Sequence, residues 1–236
     1  MNHSKVYNLL NRVLKQNGRK LKKTNEYMYW SPFVSHHKPK LQVNIQTGKW
    51  HCWVYKRGIT DSDILKYNIG YCDEGLYSNR IIVPSYDEDG NLNFFVGRDF
   101  YNSKMKYRNT PTTKNVIGFE LFINWDEPII LCEGVFDAMA FKRNAIPLFG
   151  KTIMSNLQKK IIDNRVQTIY LALDNDAIKD AIKISDNFIN NGIEVKMMKF
   201  KEKDPSEIGF KNLLDLIDKT DKTKFSDLMK MKLKGL

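Results

Sequence analysis

Two patterns of hydrophobic and polar positions divide the chain near residue 119 and predict different architectures on its two sides. Before that point, short runs of alternating apolar and polar residues are separated by turn residues, which is typical of antiparallel strands and hairpins. Beyond it, apolar runs of strand length alternate with amphipathic stretches of helical period. This alternation predicts a largely parallel sheet covered by helices.

The first pattern predicts an amphipathic helix at 4–16 and a hairpin over 41–53 with its turn at Gly48. A second hairpin turns at 87–91, where acidic residues, Gly90 and Asn91 form a strong turn signal. The strands expected in the remaining chain are 80–85, 92–98, 129–132, 147–149, 168–173 and 194–200. The helices expected between them are 136–143, 155–164, 177–191 and 206–218.

These elements predict an α/β protein in four parts. We expect a small β-rich N-terminal module at 1–57, a basic α+β subdomain at 58–120, an α/β domain at 121–220 and a basic C-terminal tail at 221–236. The tail is weakly amphipathic from Phe225 onward, and its composition favours mobility.

Charge is distributed unevenly along the chain. The formal net charge is +11, and residues 1–60 hold 12 Lys and Arg against one acid, Glu26. An N-terminal module of this kind attracts polyanions, although a solvated basic face is an equally simple interpretation. The three cysteines are too few and too scattered for a disulfide framework, and no apolar run suits a membrane span. We therefore expect a cytoplasmic protein that does not act in a membrane.

Acidic residues follow two of the predicted parallel strands. Glu133 comes directly after the strand at 129–132, and Asp174 and Asp176 come after the strand at 168–173. Carboxyl ends of parallel strands meet in one crevice, so these side chains are expected to lie together and to bind Mg²⁺ or Mn²⁺ through oxygen. Phosphoryl transfer is the natural chemistry of such a site. The alternative is that each acid only caps a helix.

The motifs LCEGVFDAMA, LALDND and KDPSEIG, within 130–209, together resemble the Toprim domain of bacterial and phage DNA primases. The resemblance implies a Toprim fold with Glu133 as the catalytic glutamate and Asp174 and Asp176 as catalytic metal ligands. It adds Asp137 and Asp204 as further acidic residues of the metal site. Many family members carry another acid at the position of Ser206, so one metal site is expected to be weaker here.

Basic and aromatic residues are interleaved across 80–114, where basic groups can hold phosphates and aromatic rings can stack on bases. A half-buried hairpin with a charged face would show the same pattern. The runs NRIIVPSYDEDGNLNFFVGRDF and KYRNTP resemble the basic subdomain that precedes Toprim in primases. That resemblance implies nucleotide or template contacts by the following residues: Arg98, Lys106, Tyr107, Asn109 and Lys114. Arg80 is implied as a structural or template-facing residue.

The run SPFVSHHKPKLQVNIQTGKWHCW resembles a primase zinc ribbon that has lost its metal ligands. Ser31, Val34 and Tyr55 stand where the family has cysteines, and only Cys52 remains. These residues cannot replace thiolates in a structural zinc site, so zinc is not expected. A site built from His36, His37, His51 and Cys52 is the less favoured alternative.

The resemblance implies a DNA primase that makes short RNA primers on a single-stranded DNA template from ribonucleoside triphosphates. The sequence contains no Walker A motif, so a replicative helicase is expected to act in trans, in the cytoplasm of a phage-infected bacterial host. Two alternatives stay open. One is a Toprim nuclease, and the other is a non-catalytic remnant that binds single-stranded DNA or a helicase.

Overall fold

The structure is a computed structural model that describes residues 3–21, 25–29, 41–46, 50–52, 59–72, 74–78, 80–99, 105–200 and 208–234. The chain forms two compact units, Met1–Lys66 and Tyr67–Leu236. The predicted boundaries at 57, 120 and 220 remain predictions.

The N-terminal unit holds a helix and an antiparallel sheet. Helix α1 is His3–Val13, and the sheet follows the order β1 (Arg19–Lys20), β2 (Glu26–Tyr29), β3 (Leu41–Asn44) and β4 (Trp50–Cys52). Leu41 pairs with Cys52, as the predicted hairpin requires. Tyr29, Leu41 and Val43 form a small core against which Leu10 and Leu14 pack. A short helix, α2 (Asp61–Lys66), ends the unit.

The second unit begins with another antiparallel sheet. Its strands follow chain order as β5 (Gly70–Cys72), β6 (Arg80–Tyr86), β7 (Leu92–Asp99) and β8 (Tyr107–Asn109). Asp87 closes the turn between β6 and β7 by accepting hydrogen bonds from the backbone N–H groups of Asp89 and Asn91. Gly90 adopts a φ of 83° there, which explains why the predicted turn carries a glycine.

A parallel four-stranded sheet forms the centre of this unit. It contains β9 (Ile129–Cys132), β10 (Ala145–Pro147), β11 (Thr168–Ala172) and β12 (Glu194–Met197) in the order β10-β9-β11-β12. The helices around it are α3 (Val135–Ala140), α4 (Ser155–Asp163), α5 (Ile178–Asn190) and α6 (Phe210–Lys219). One apolar cluster joins the sheet to α4 and α5, and it includes Ile129, Ile146, Ile161, Ile169, Phe188 and Val195. The predicted α/β class is confirmed.

Two expectations need correction. The strand expected at 147–149 lies earlier, at Ala145–Pro147, and the chain leaves the extended conformation at Phe149, which has a φ of 54°. The C-terminal tail is not loose, since Phe225–Lys234 forms helix α7 and fully buries Leu228. Lys232 of this helix forms a 3.1 Å ion pair with Asp186 of α5. Within the described ranges, no helix has the length and apolar character needed to cross a membrane.

Candidate active site

The structure brings three of the predicted carboxylates together. Glu133 follows β9 and Asp174 lies two residues beyond β11, while the adjacent strand ends are in register at the pair Cys132 and Ala172. Glu133, Asp174 and Asp176 each offer a ligand oxygen, and these oxygens all lie within 4.8 Å of one another. The backbone N–H of Asp174 donates a 3.1 Å hydrogen bond to Glu133 Oε1, which fixes the orientation of the glutamate.

Burial and mutual repulsion set the electrostatics of this cluster. Burial raises the pKa of Glu133, the hydrogen bond from the Asp174 backbone opposes that rise, and the charge of Asp174 adds to it. Asp176 is more exposed and pairs with Lys151, whose Nζ lies 2.8 Å from Asp176 Oδ2. That hydrogen bond lowers the pKa of Asp176. The cluster therefore combines one carboxylate that resists ionisation with one whose charge is stabilised.

The donor set fits a divalent cation. All three groups present carboxylate oxygen, which is the ligand that Mg²⁺ and Mn²⁺ prefer. Three carboxylates at this separation repel one another unless a cation lies between them. Glu133, Asp174 and Asp176 could hold such an ion at the carboxyl ends of β9 and β11.

The two further predicted acids differ in what can be said of them. Asp137 lies in the first turn of α3, and a Cβ atom added at Gly134 would stand 3.0 Å from Asp137 Oδ2. Gly134 therefore leaves room for the Asp137 carboxylate beside the cluster. Asp204, with the surrounding KDPSEIG motif up to Glu207, lies outside the described residues.

A cavity of about 370 Å³ opens beside the carboxylates. Its lining includes Glu133, Asp137 and Asp174, which we call the acidic wall. It also includes Val96 of β7 and Tyr107 and Asn109 of β8, which we call the aromatic wall. Asn109 Oδ1 is buried and receives no hydrogen bond from the described part of the chain. Residues of the antiparallel sheet and residues at the carboxyl ends of the parallel strands thus line one cavity.

Two predicted basic residues lie on the sheet that carries the aromatic wall. The guanidinium carbon of Arg98 stands 4.3 Å from the centroid of the Tyr107 ring, in cation–π geometry. Tyr107 is 46% exposed, so this ring is open to a ligand. Lys106, the preceding residue, is also exposed.

Arg80 and Lys114 occupy positions of another kind. Arg80 is only 6% exposed, and its guanidinium donates hydrogen bonds to the backbone carbonyls of Gly97, Met105 and Lys106. Its structural role is visible, while a template contact by Arg80 stays a prediction. Lys114 Nζ donates a 2.7 Å hydrogen bond to the carbonyl of Phe149, in the loop that follows β10.

Lys151 is the site residue that the sequence analysis missed. It stands shortly after β10, the strand beside β9, and therefore at the same edge of the sheet as the acidic residues. A lysine after a third parallel strand was the available signal.

The predicted zinc-ribbon positions cannot be placed. Ser31, Val34, His36, His37 and Tyr55 lie outside the described residues, as do the side chains of His51 and Cys52. The basic and aromatic residues Phe100, Tyr101 and Lys104 also fall outside them.

Comparisons with known proteins agree with this geometry. Residues 130–208 match the family model described as Toprim-like. The crystal structure of the zinc-binding and RNA polymerase domains of Aquifex aeolicus primase superposes with a TM-score of 0.63, at 16% identity, over 94% of this chain and 86% of that chain. A structure of the DnaG primase catalytic domain bound to single-stranded DNA superposes with a TM-score of 0.64, at 16% identity, over 76% of this chain and 73% of that chain. At such identities the likeness establishes the fold.

Relatives in sequence include DNA primases. The primase of Clostridium acetobutylicum is 28% identical over 58% of this chain and 25% of the primase. That of Buchnera aphidicola is 32% identical over 64% of this chain and 29% of the primase. The chain thus spans between a quarter and a third of the length of these primases.

The parallel sheet, its carboxylate cluster and these matches define a Toprim-containing protein of the primase type, as the motifs predicted. Within that class, the chain is 30% identical to the uncharacterized protein MG010 of Mycoplasma genitalium over 182 residues, 70% of this chain and 82% of that protein. The chain belongs to the family of MG010.

Proposed function

We propose that this chain is a DNA primase that synthesises short RNA primers on single-stranded DNA by divalent-metal-dependent nucleotidyl transfer. One observation carries the proposal: the acidic wall and the aromatic wall line the same cavity. The carboxylates of the acidic wall can bind the phosphates of a nucleotide through a metal ion. The aromatic wall can contact its base and sugar. The DnaG catalytic domain with the same fold was solved with single-stranded DNA bound.

Glu133, Asp174 and Asp176 would hold Mg²⁺ or Mn²⁺, with Asp137 and Asp204 as further acids of the same site. When bound, such an ion orients phosphates and neutralises the charge that develops on them. The primer 3′ hydroxyl gives up its proton to water, and its oxygen forms a bond to the α-phosphorus of the incoming nucleotide as the bond from that phosphorus to pyrophosphate breaks.

The chain's own side chains position the substrates for this step. Tyr107, backed by the Arg98 guanidinium, offers an exposed ring on which a base can stack. Asn109 Oδ1 can accept a hydrogen bond from a sugar hydroxyl or a base N–H group. Lys106 and Lys114 supply positive charge for phosphates. A replicative helicase acting in trans is the partner that this proposal implies.

Primer synthesis on single-stranded DNA, with ribonucleoside triphosphates and Mg²⁺ or Mn²⁺, tests the proposal. Glu133→Gln and Asp174→Asn keep side-chain shape but remove a charged ligand, and we expect each to reduce the product at least about 100-fold. Asp163→Asn, at the exposed end of α4, is the matched control and should retain parental synthesis.

Three outcomes would contradict the proposal in distinguishable ways. Synthesis that survives both ligand variants would mean that the carboxylates do not form the catalytic centre. DNA cleavage without nucleotides would identify a Toprim nuclease. DNA binding with no synthesis under any condition would identify a non-catalytic binding module.

A further inference from the structure

The loop after β10 runs alongside Glu133. Leu148 N–H donates a 2.8 Å hydrogen bond to the carbonyl of Cys132, and Gly150 N–H donates a 3.1 Å hydrogen bond to the carbonyl of Glu133. These two backbone bonds fix the position at which the next residue, Lys151, leaves the loop. The backbone of Lys151 therefore lies on the β10 side of Glu133, whereas Asp174 and Asp176 follow β11, the strand on the other side of β9.

The Lys151 side chain spans this distance. Its Nζ reaches Asp176 Oδ2 at 2.8 Å, across the strand order β10-β9-β11. Because the ligand oxygens of Glu133, Asp174 and Asp176 lie within 4.8 Å of one another, the ammonium group that pairs with Asp176 is close to the whole carboxylate cluster. The ammonium group thus stands where it partly neutralises the cluster, with 39% of its side chain exposed.

A divalent ion on the same carboxylates would meet this ammonium group. Asp176 cannot give the same oxygen fully to both cations, and two positive charges a few ångströms apart repel each other. We propose that Lys151 is a built-in counter-cation of the carboxylate cluster and that a divalent metal ion binds in competition with it. This inference rests on the metal site of the proposed function and adds a residue that limits the affinity of that site.

The competition has two consequences. In the metal-free protein, Lys151 offsets the repulsion among the carboxylates and stabilises their arrangement. When a metal ion binds, the ammonium group must leave Asp176, so the ion binds less tightly than the carboxylates alone would allow. Because Lys151 and Asp176 are exposed, solvent screens the effect, and we expect a change of roughly tenfold in metal affinity.

Titration calorimetry with Mn²⁺ on the full chain, without nucleotide or DNA, tests the inference independently of activity. Lys151→Met should bind Mn²⁺ roughly tenfold more tightly than the parent, while Lys151→Arg, which keeps the charge, should stay within about twofold. Lys159→Met removes an exposed charge from α4 and controls for net charge. Thermal unfolding should show a larger Mn²⁺-induced rise in Tm for Lys151→Met than for the parent.

The possible results separate this inference from the proposed function. Equal Mn²⁺ affinity for the parent and Lys151→Met, with Asp174→Asn abolishing binding, would overturn the role of Lys151 and leave the metal site standing. An equal gain in Lys159→Met would also overturn it, since net charge alone would then explain the change. No binding to the parent or to any Lys151 variant would overturn both proposals.

Discussion

The acidic wall and the antiparallel sheet that carries the aromatic wall use their charged groups in opposite ways. Around the acidic wall, Glu133 and Asp174 crowd together, and the nearby Asp176 pairs with a solvent-exposed lysine. On the sheet that carries the aromatic wall, the Arg80 guanidinium is buried and donates hydrogen bonds to backbone carbonyls of Gly97, Met105 and Lys106. The acidic groups repel one another in a way that a ligand can relieve, whereas Arg80 already stabilises the fold.

This difference shows what a charge pattern can and cannot reveal. A carboxylate at the end of a parallel strand has few local partners, so the topology determines its position and its use. A basic side chain is longer and has backbone carbonyls within reach, so hydrogen bonding decides whether it remains available to a ligand. Arg108 illustrates this, since its Nη1 donates a 2.7 Å hydrogen bond to the carbonyl of Leu76.

Replacing Arg80 should have the largest effect on stability. Arg80→Met removes three hydrogen bonds made by the guanidinium group of a residue that is only 6% exposed, so we expect the free energy of unfolding to fall by about 3 kcal/mol in urea denaturation. Arg108→Met is the matched control, because Arg108 is more exposed, and its loss should cost less than about 1 kcal/mol. Unchanged stability with weakened DNA binding would instead make Arg80 a template-contacting residue.

Lys106 should show the opposite behaviour, with an effect on binding but not on folding. Its side chain is exposed, so Lys106→Ala should leave the unfolding free energy unchanged. If Lys106 contacts one phosphate, a plot of log affinity for single-stranded DNA against log salt concentration should be less steep for Lys106→Ala than for the parent, by about 0.7. This difference equals about 1 kcal/mol of binding free energy for a tenfold change in salt. Fluorescence anisotropy over a salt series measures this slope.

Lys159→Ala provides the control for Lys106, since it removes an exposed lysine from α4. Its salt slope should equal that of the parent. An equal decrease of the salt slope in both variants would show that DNA affinity depends on the overall charge of the protein. Lys106 would then not be a specific phosphate contact.

The centre of the parallel sheet was predictable because β9 is a continuous apolar run that the core buries on both faces. Ile129–Cys132 is buried throughout and appears where the sequence predicted it. The placement of Glu133 beside Asp174 followed from the same reasoning, since acids after two strands can meet only if those strands are neighbours. The resemblance to primases assigned the acidic motifs to a Toprim domain, and the topology of the sheet explains why Glu133 and Asp174 lie close together.

The parts that were not predicted depend on contacts distant in sequence. The resemblance to primases implied a structural or template-facing Arg80, but nothing near Arg80 in the chain indicates that it will reach the carbonyls at 97, 105 and 106. The basic composition of helix α7 favours a mobile tail, whereas the burial of Leu228 depends on contacts with the rest of the unit that the local sequence does not show. The pairing of Lys151 with Asp176 depends on the strand order β10-β9-β11, which the local sequence pattern does not define.

Glu133 gives the smallest effect and tests whether the acidic wall is under electrostatic strain. Since burial raises its pKa in the folded protein, ionisation of Glu133 destabilises the metal-free fold as the pH rises through that pKa. Glu133→Gln can still accept the hydrogen bond from Asp174 N–H but carries no charge. In EDTA at neutral pH, we therefore expect Glu133→Gln to raise Tm by about 1–3 °C, with the difference vanishing below the ordinary pKa of glutamate.

Differential scanning calorimetry between pH 4 and pH 8 measures this difference, with Glu127→Gln as an exposed control that should show no such pH dependence. Adding Mg²⁺ should reverse the order, because the parent gains stability from the bound ion and Glu133→Gln gains less. If Glu133→Gln were less stable than the parent in EDTA at neutral pH, the carboxylate would be a structural group like Arg80. The contrast between a destabilising carboxylate in the acidic wall and a stabilising Arg80 on the antiparallel sheet would then disappear.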